Sequence, residues 1–421
     1  MKLGDVGNAD AVGNGKPLDG VRVLAAEQMQ AVPYSTQLLA RLGADVVKVE
    51  HPTDGESGRG AHPSMTDPTG RQAGATFLRN NLNKRSIGID LKAPAGKKLF
   101  LDLVPHFDVV AENFRAGTMK RLGIGYDTVS AVHPGIIYAS VSGFGNTIPS
   151  PYDTWAAYAS IAEGMSGIYD YMQGVDEDGN EEPPIIGPAG ALGDISSALF
   201  MTIGVLAALR HRDRTGVGQQ VDIAMLDSMV AMSDIVPNYW SMGLRPREGL
   251  GPLVIFDGFK AKDGWFVVQV GREHQFERLA NLIGTPEWLS DPRFATREGW
   301  ITHLQDVIRP AIEDWASTHT KLEAAFAMNA EGIASGPINS APDVIADPHV
   351  EARNMLVSVP RTDDVDEPIL LPGNPVKLSK VAEGPETRWP WVGEHTEAIL
   401  RDELSLSDDE IEKLRADGVI N

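Results

Sequence analysis

Residues 21–50 read VRVLAAEQMQAVPYSTQLLARLGADVVKVE, and this stretch decides the fold. Val21–Ala25 is a short apolar run of the kind that forms a buried strand. Pro33 suits the first turn of a helix that runs through Leu42, and Gly43 suits the stop that follows it. Ala44–Glu50 is a second strand, rich in valine. Strand, helix and strand in this order form a βαβ unit, which predicts a parallel sheet covered by helices. The turn after the first strand, Glu27–Pro33, lacks the G-x-G-x-x-G that seats a dinucleotide pyrophosphate. The expected topology is therefore Rossmann-like, without a nicotinamide-dinucleotide site.

The alternation continues outward. Strands are expected at Ser86–Leu91, Asp108–Glu112 and Gly135–Ser142, with helices from Pro94 and through Arg121. Asn113-Phe-Arg-Ala-Gly117 closes its strand at the C-terminal edge of the sheet, where open α/β folds bind ligands. Tyr152–Gly167 reads as a helix and Gln173–Pro184 as an acidic surface insertion. From Pro237 to Pro252 the pattern gives way to Pro, Gly and Trp without period. Gly258–Val270 alternates as a hairpin, and helices from about Glu273 onward complete a smaller α+β domain. Ser407-x-x-Glu410 is a capping box before an amphipathic C-terminal helix. The expected organisation is a mobile leader at 1–17, a large α/β domain from 18 to 235 and a linker over 236–257. The small domain then spans 258–340, and 341–421 returns to the large one.

A second stretch, residues 187–227, GPAGALGDISSALFMTIGVLAALRHRDRTGVGQQVDIAMLD, carries the chemistry. A loop rich in Gly and Ala delivers Asp194 to a helix expected to start at or just after it. Ile195, Leu199, Ile203 and Leu206 share one face, with small residues between them, which reads as a buried, closely packed helix. A carboxylate at a helix N-terminus is favoured in its ionised form. Two uses of it stay open: an ordinary helix cap, or a nucleophile or base in a cleft.

Composition narrows the classes. The chain has 421 residues, no cysteine and a formal net charge of −21. The lack of cysteine removes thiol catalysis, disulfides and Cys-type metal sites and suits a cytoplasmic protein. The leader has no apolar signal core, and the strongest apolar run, Ala198–Leu209, is too short to span a bilayer. An acidic chain of this kind is a poor partner for nucleic acid or an anionic membrane. Yet between Arg71 and Arg121 ten Lys and Arg stand against four acids. A basic zone in an acidic protein points to a small polyanionic ligand.

In order and spacing these landmarks resemble the class III CoA-transferase family, the group that includes formyl-CoA transferase, carnitine CoA-transferase and α-methylacyl-CoA racemase. The matching pieces are Leu18-Asp-Gly-Val-Arg-Val, Leu42-Gly-Ala-Asp-Val-Val-Lys-Val-Glu50, Asn83-Lys-Arg-Ser-Ile, Glu112-Asn-Phe-Arg, Ser142-Gly-Phe-Gly145, Leu192-Gly-Asp194 and Arg214-Thr-Gly-Val-Gly-Gln219. Gly336-Pro337, Asp347-Pro-His349 and Gly393-Glu-His-Thr396 follow near the C-terminus.

The resemblance implies an enzyme that moves CoA from an acyl-CoA to a small carboxylic acid, with CoA as substrate, no tightly bound cofactor and no metal. It implies that Asp194 is the nucleophile, through an aspartyl anhydride and an enzyme–CoA thioester, with loop N–H groups at the oxyanion. It places CoA contacts at Met29, Gln30, His51, Ile89, Lys92, Asn113, Phe114, Arg115, Arg121 and Met225, with Lys92 and Arg121 as phosphate ligands. It further implies a homodimer of two interlocked rings. This chain departs from the family in four places. His51 stands where a basic residue is common. The lid of consecutive glycines is reduced to Gly249-Leu-Gly251-Pro252. Glu163 replaces a common Gln and is either a second active-site carboxylate or a helix-surface residue, the latter being the reading preferred here. The histidine of the racemases falls near Tyr158, which disfavours the alternative of an acyl-CoA racemase. A non-catalytic CoA-binding protein is the other alternative.

Overall fold

The computed structural model describes residues 1–172, 182–187, 190–233, 235–244 and 253–421. The opening stretch folds as β1 (Arg22–Ala26), α1 (Ala31–Arg41) and β2 (Asp45–Glu50). The two strands pair in parallel, from Arg22 opposite Asp45 to Ala26 opposite Val49. Gly43 follows α1 with φ +113°, and a Cβ there would stand 2.6 Å from that of Lys16. Only glycine fits this sharp turn from helix to strand.

A two-stranded ribbon, β3 (Ser64–Thr66) and β4 (Gln72–Gly74), then leads to α2 (Ala75–Asn80). The alternation resumes with β5 (Lys84–Gly88), α3 (Pro94–Leu103), β6 (Val109–Glu112), α4 (Thr118–Leu122), α5 (Tyr126–Val132) and β7 (Ile137–Ser142). After it come α6 (Ala159–Met165), α7 (Ile168–Met172), α8 (Leu192–Thr215), β8 (Gln219–Ala224) and α9 (Met225–Met232). Six strands form one parallel sheet in the order β5-β2-β1-β6-β7-β8. The winding reverses between β1 and β6, so the crevice for a ligand opens there.

Side chains alternate across this sheet. Leu24, Val47, Ile87 and Val110 face one layer, with Phe100, Leu103, Ile399, Leu400 and Ile411. Val23, Ala25, Val46, Val109 and Ala111 face the other, with Val32, Leu39, Met201, Val205 and Leu209. Each such fully buried Val, Leu or Ile stabilises the fold by about 1.5–3 kcal/mol.

The sequence reading needs correction at three places in this unit. Only Ala159–Met165 of the stretch 152–167 is α-helical before α7 begins. Next, α8 starts two residues before Asp194, and its buried face is Ser196, Ser197, Ala198, Met201, Thr202, Val205, Ala208 and Leu209. Leu199 and Ile203, expected inside, are 43% and 61% exposed. The helix is apolar nearly all round, so periodicity cannot pick its inner face. The small residues face inward because α1 lies close; Ser35 and Thr202 hydroxyls meet at 2.9 Å. By length and composition α8 could also cross a membrane, contrary to the shorter run read from the sequence, but here it packs on the sheet. Finally, the leader is pinned rather than loose. The Met1 ammonium donates to the Leu356 carbonyl at 3.0 Å, Gly7 N–H donates to the Glu383 carbonyl at 2.9 Å, and Ala11 is buried.

Residues Trp240–Val350 form a separate unit. β9 (Ile255–Ala261) and β10 (Gly264–Val270) make an antiparallel hairpin joined by β11 (Ala334–Pro337). The helices α10 (Glu273–Leu282), α11 (Arg297–Thr302), α12 (Arg309–Ala316), α13 (Lys321–Ala330) and α14 (Ala341–Ile345) accompany it. Its core is aromatic, with Phe276 and Trp300 stacked at 4.4 Å. The chain continues through α15 (Pro348–Ala352) to β12 (Leu356–Val359), β13 (Ile369–Pro372), α16 (Thr396–Leu404) and α17 (Asp408–Ala416). Residues 351–421 group with 1–239. Ser86 N–H donates to the His395 ring at 3.2 Å and Gly88 N–H to Thr396 Oγ1 at 3.0 Å, fixing this return on β5. The Ser407–Glu410 capping box is present at the start of α17.

Candidate active site

The first βα loop and the loop after β6 meet at the reversal of the sheet. Gln28 N–H donates to Asn113 Oδ1 at 2.9 Å, and Asn113 Nδ2 donates to the Gln28 carbonyl at 2.8 Å. Next in sequence, Met29 takes a left-handed backbone, φ 59°, rare for a non-glycine residue. Its N–H is held by Glu56 Oε2 at 2.8 Å. Phe114 N–H donates to Glu112 Oε2 at 2.8 Å. Met29, Gln30, Asn113 and Phe114 are thereby brought to one place on the sheet edge, each half-buried.

Beneath this edge lies a buried charge cluster that sequence reasoning missed. Lys84 Nζ donates to Glu27 Oε1 at 2.7 Å, to the Pro33 carbonyl at 2.9 Å and to Asn81 Oδ1 at 3.1 Å. Lys48 Nζ reaches the Glu27 carbonyl at 3.2 Å. Burial alone would push the Glu27 carboxyl up, but Lys84 and Lys48 outweigh it and hold it low. Burial pulls Lys84 down to about 8, against the attraction of Glu27. The signal was legible at Lys48, which stands inside the apolar run of β2, where a cation requires a buried partner; Lys84 opens β5 between Asn83 and Arg85 and carries no such mark.

This cluster revises the basic zone. Lys84, Arg85, Arg71 and Lys98 are spent on Glu27, Asp45, Asp67 and Asp102. Lys92, Arg115, Lys120 and Arg121 remain exposed, and no ion pair holds them among the described residues. Arg121 instead donates to Thr118 Oγ1 at 2.8 Å and to the Ala116 carbonyl at 3.3 Å. His51 is exposed and its Nδ1 accepts from the N–H groups of Thr53 and Asp54. Ile89 and Met225 sit in the two cores, 1% and 7% exposed; their side chains support the site from beneath.

A cleft of about 890 Å³ opens beside Arg121, lined by Glu112, Lys120, Arg121, Tyr126, Tyr138 and Asn146 among others. Burial pushes the Glu112 carboxyl up to about 8, the charge of Asp222 adds to this, and the Phe114 N–H bond opposes it. The Tyr138 hydroxyl is pushed up by the same burial and by Glu112.

Asp194 is not among the residues that line this cleft, yet it belongs to the same edge. Strands β7 and β8 are parallel, so α8 runs back against them and starts at their C-terminal ends. Asp194 is the third residue of α8, while the cap position is held by Ala191 without a side-chain bond. The helix-cap reading therefore falls away. Burial, and then the charge of Glu163, raise the Asp194 carboxyl to about 6, against the expectation that the helix start would favour its ionised form. Glu163 is not a surface residue: it is 1% exposed. Its Oε1 accepts from Gly193 N–H at 2.9 Å, and its Oε2 accepts from the Tyr169 hydroxyl. Gly249–Pro252 lies outside the described residues, as does most of Gln173–Pro184. Among the described residues, no group of three or more His, Cys, Asp or Glu is arranged to hold a metal ion.

Residues 18–396 match the family model for CoA-transferase family III. The chain belongs to this family. It is 35% identical to the succinyl-CoA–L-malate CoA-transferase beta subunit of Chloroflexus aurantiacus, over 96% of this chain and 98% of that one. It is 33% identical to the formyl-CoA:oxalate CoA-transferase of Streptomyces coelicolor, over 96% and 99%. Among solved structures, a CaiB/BaiF family protein from Brucella suis superposes with a TM-score of 0.78 at 32% identity, covering 92% of this chain and all of that one. This CoA-transferase is thus an enzyme whose substrates include CoA thioesters.

Proposed function

We propose that the enzyme transfers CoA from an acyl-CoA to a small carboxylic acid through covalent intermediates on Asp194. The observation that carries this reading is a single half-buried carboxylate, raised to about 6, in the first turn of α8. It shares the sheet edge with the paired loops of Gln28 and Asn113 and with the exposed cations Lys92, Arg115 and Arg121. At neutral pH such a carboxylate is ionised and needs no base.

The bonds balance without a proton or a redox step. An Asp194 oxygen attacks the thioester carbonyl; a C–O bond forms, the C–S bond breaks, and CoA leaves as a thiolate. The thiolate attacks Cγ of Asp194 and expels the donor carboxylate, leaving CoA on the enzyme. The acceptor carboxylate attacks the same Cγ and displaces the thiolate, which then attacks the acceptor acyl carbon and frees Asp194. Exposed Lys92, Arg115 and Arg121 would meet CoA phosphates through charge-assisted bonds, while Met29, Gln30 and Asn113 border the pantetheine path. The relatives are named for succinyl-CoA with L-malate and formyl-CoA with oxalate, which supports a dicarboxylic acid as one partner. A cytoplasmic homodimer is part of the same reading.

The test is mass spectrometry after mixing with succinyl-CoA alone. A CoA-sized adduct on the peptide containing Asp194, absent from Asp194→Ala, is expected. Full transfer activity in Asp194→Ala would remove the assignment.

A further inference from the structure

We infer that Glu163, clamped by Tyr169 and by the Gly193 N–H, is a positioning residue that sets the first turn of α8 and holds a second carboxylate against resting Asp194. The inference rests on the reading of Asp194 as the nucleophile and adds a part that the covalent chemistry itself does not name.

The clamp is continuous. Gly193 N–H donates to Glu163 Oε1 at 2.9 Å, the Tyr169 hydroxyl donates to Oε2, and Gly187 N–H donates back to the Tyr169 oxygen at 3.1 Å. On the other side of the same residue, Ser197 Oγ donates to the Gly193 carbonyl at 2.6 Å. A Cβ on Gly193 would stand 2.9 Å from the Ala159 carbonyl oxygen, so α6 presses directly on this turn. The residue immediately before Asp194 is thus fixed through its N–H, its carbonyl and its lack of a side chain. A helix start left to solvent would fray; here a buried carboxylate holds it.

The second effect is electrostatic. Asp194 is negative only at rest. As an anhydride or a thioester it is neutral. A fixed negative charge nearby therefore raises the resting state relative to both covalent states and sharpens the nucleophile. Glu163 supplies that charge from α6. α7 contributes Tyr169, whose hydroxyl burial and Glu163 push up. α9 presents Met229 to Ser196 of α8 at 3.7 Å, while its Asp227 is exposed. α1 meets α8 through Ser35.

Glu163→Gln keeps the shape and the acceptor for Gly193 N–H but removes the charge. Tyr169→Phe keeps the charge but loosens the clamp. In steady-state transfer from succinyl-CoA, Glu163→Gln should move the acid limb of kcat/KM down by about one pH unit. Its kcat should fall about tenfold with KM for acyl-CoA within about threefold. Tyr169→Phe should lower kcat with KM kept and leave the limb in place. A wild-type limb and kcat in Glu163→Gln overturn the inference. Should that variant fail to fold by circular dichroism, wild-type kcat in Tyr169→Phe overturns it instead. Asp194→Asn separates the two ideas: activity in that variant removes the nucleophile, whereas an inactive Asp194→Asn beside an unaltered Glu163→Gln removes only the role of Glu163.

Discussion

Asn113 and Gln28 hold each other through two hydrogen bonds, 2.9 and 2.8 Å, across the point where the sheet reverses its winding. They join the ends of two strands that are neighbours in space and far apart in sequence, β1 and β6. Whatever enters the crevice between those strands meets loops already locked together. Binding then pays little for ordering them, which is how a preorganised site gains affinity.

Asn113→Ala should therefore weaken CoA binding about tenfold, measured by calorimetry, with little dependence on salt. Arg121→Ala should weaken it by a similar factor that shrinks at high ionic strength, because exposed charge contacts are screened. The two salt profiles separate a preorganising side chain from a phosphate ligand. Unchanged affinity in both variants would mean that CoA binds elsewhere.

Asp194 should cost the fold stability at neutral pH. Its folded carboxyl is raised to about 6 from an ordinary 3.8, so folding favours the protonated form. That contribution is fully present below the unfolded value and is lost as pH rises through about 6. Asp194→Asn should accordingly raise Tm at about pH 7.5 and change it little at about pH 4. The gain at neutral pH should be on the order of 1–3 kcal/mol, from a shift of about two units. An equal effect at both pH values would show that Asp194 is not held in a desolvated, negatively charged setting.

The parallel α/β pattern was legible because βαβ units repeat with clear punctuation, as at Pro33 and Gly43. Asp194 was legible through its loop and the apolar run behind it. Its surroundings were not. Glu163 looks like a surface residue because its partners, Tyr169 and the Gly193 N–H, are tertiary and leave no periodic trace. The same holds for α8, where an all-round apolar sequence hides which face the sheet covers. The basic zone was overcounted because Glu27, Asp45 and Asp67, which neutralise part of it, lie outside the window.

Glu112 predicts an effect of the same sign. Burial pushes it up to about 8 from an ordinary 4.5, so its contribution to stability is fully present below the unfolded value and is lost progressively as pH rises towards about 8. Glu112→Gln should accordingly be more stable than the wild type at about pH 7.5 and differ little from it at about pH 4, measured by urea unfolding at both values. An equal difference at both values would show that burial does not hold the Glu112 carboxyl protonated in the fold.

The exposed face of α8 bears on assembly. Leu199 and Ile203 stand one turn apart and outward, and Ile161 of α6 and Val230 of α9 are also exposed, at 41% and 44%. Apolar patches of this kind mark surfaces covered in the working protein. A second copy of the chain is the occupant expected of an interlocked dimer. If the proposed dimer is interlocked, light scattering should give a mass near twice 45.4 kDa, unchanged on dilution, because threaded rings could not part without unfolding. Leu199→Glu with Ile203→Glu would then bury charge without partners in the interface, at several kcal/mol for each ion. The double variant should lose the dimer and its transfer activity together. A folded, active monomer, from either the wild type or this variant, would show that α8 faces solvent and that each chain works alone.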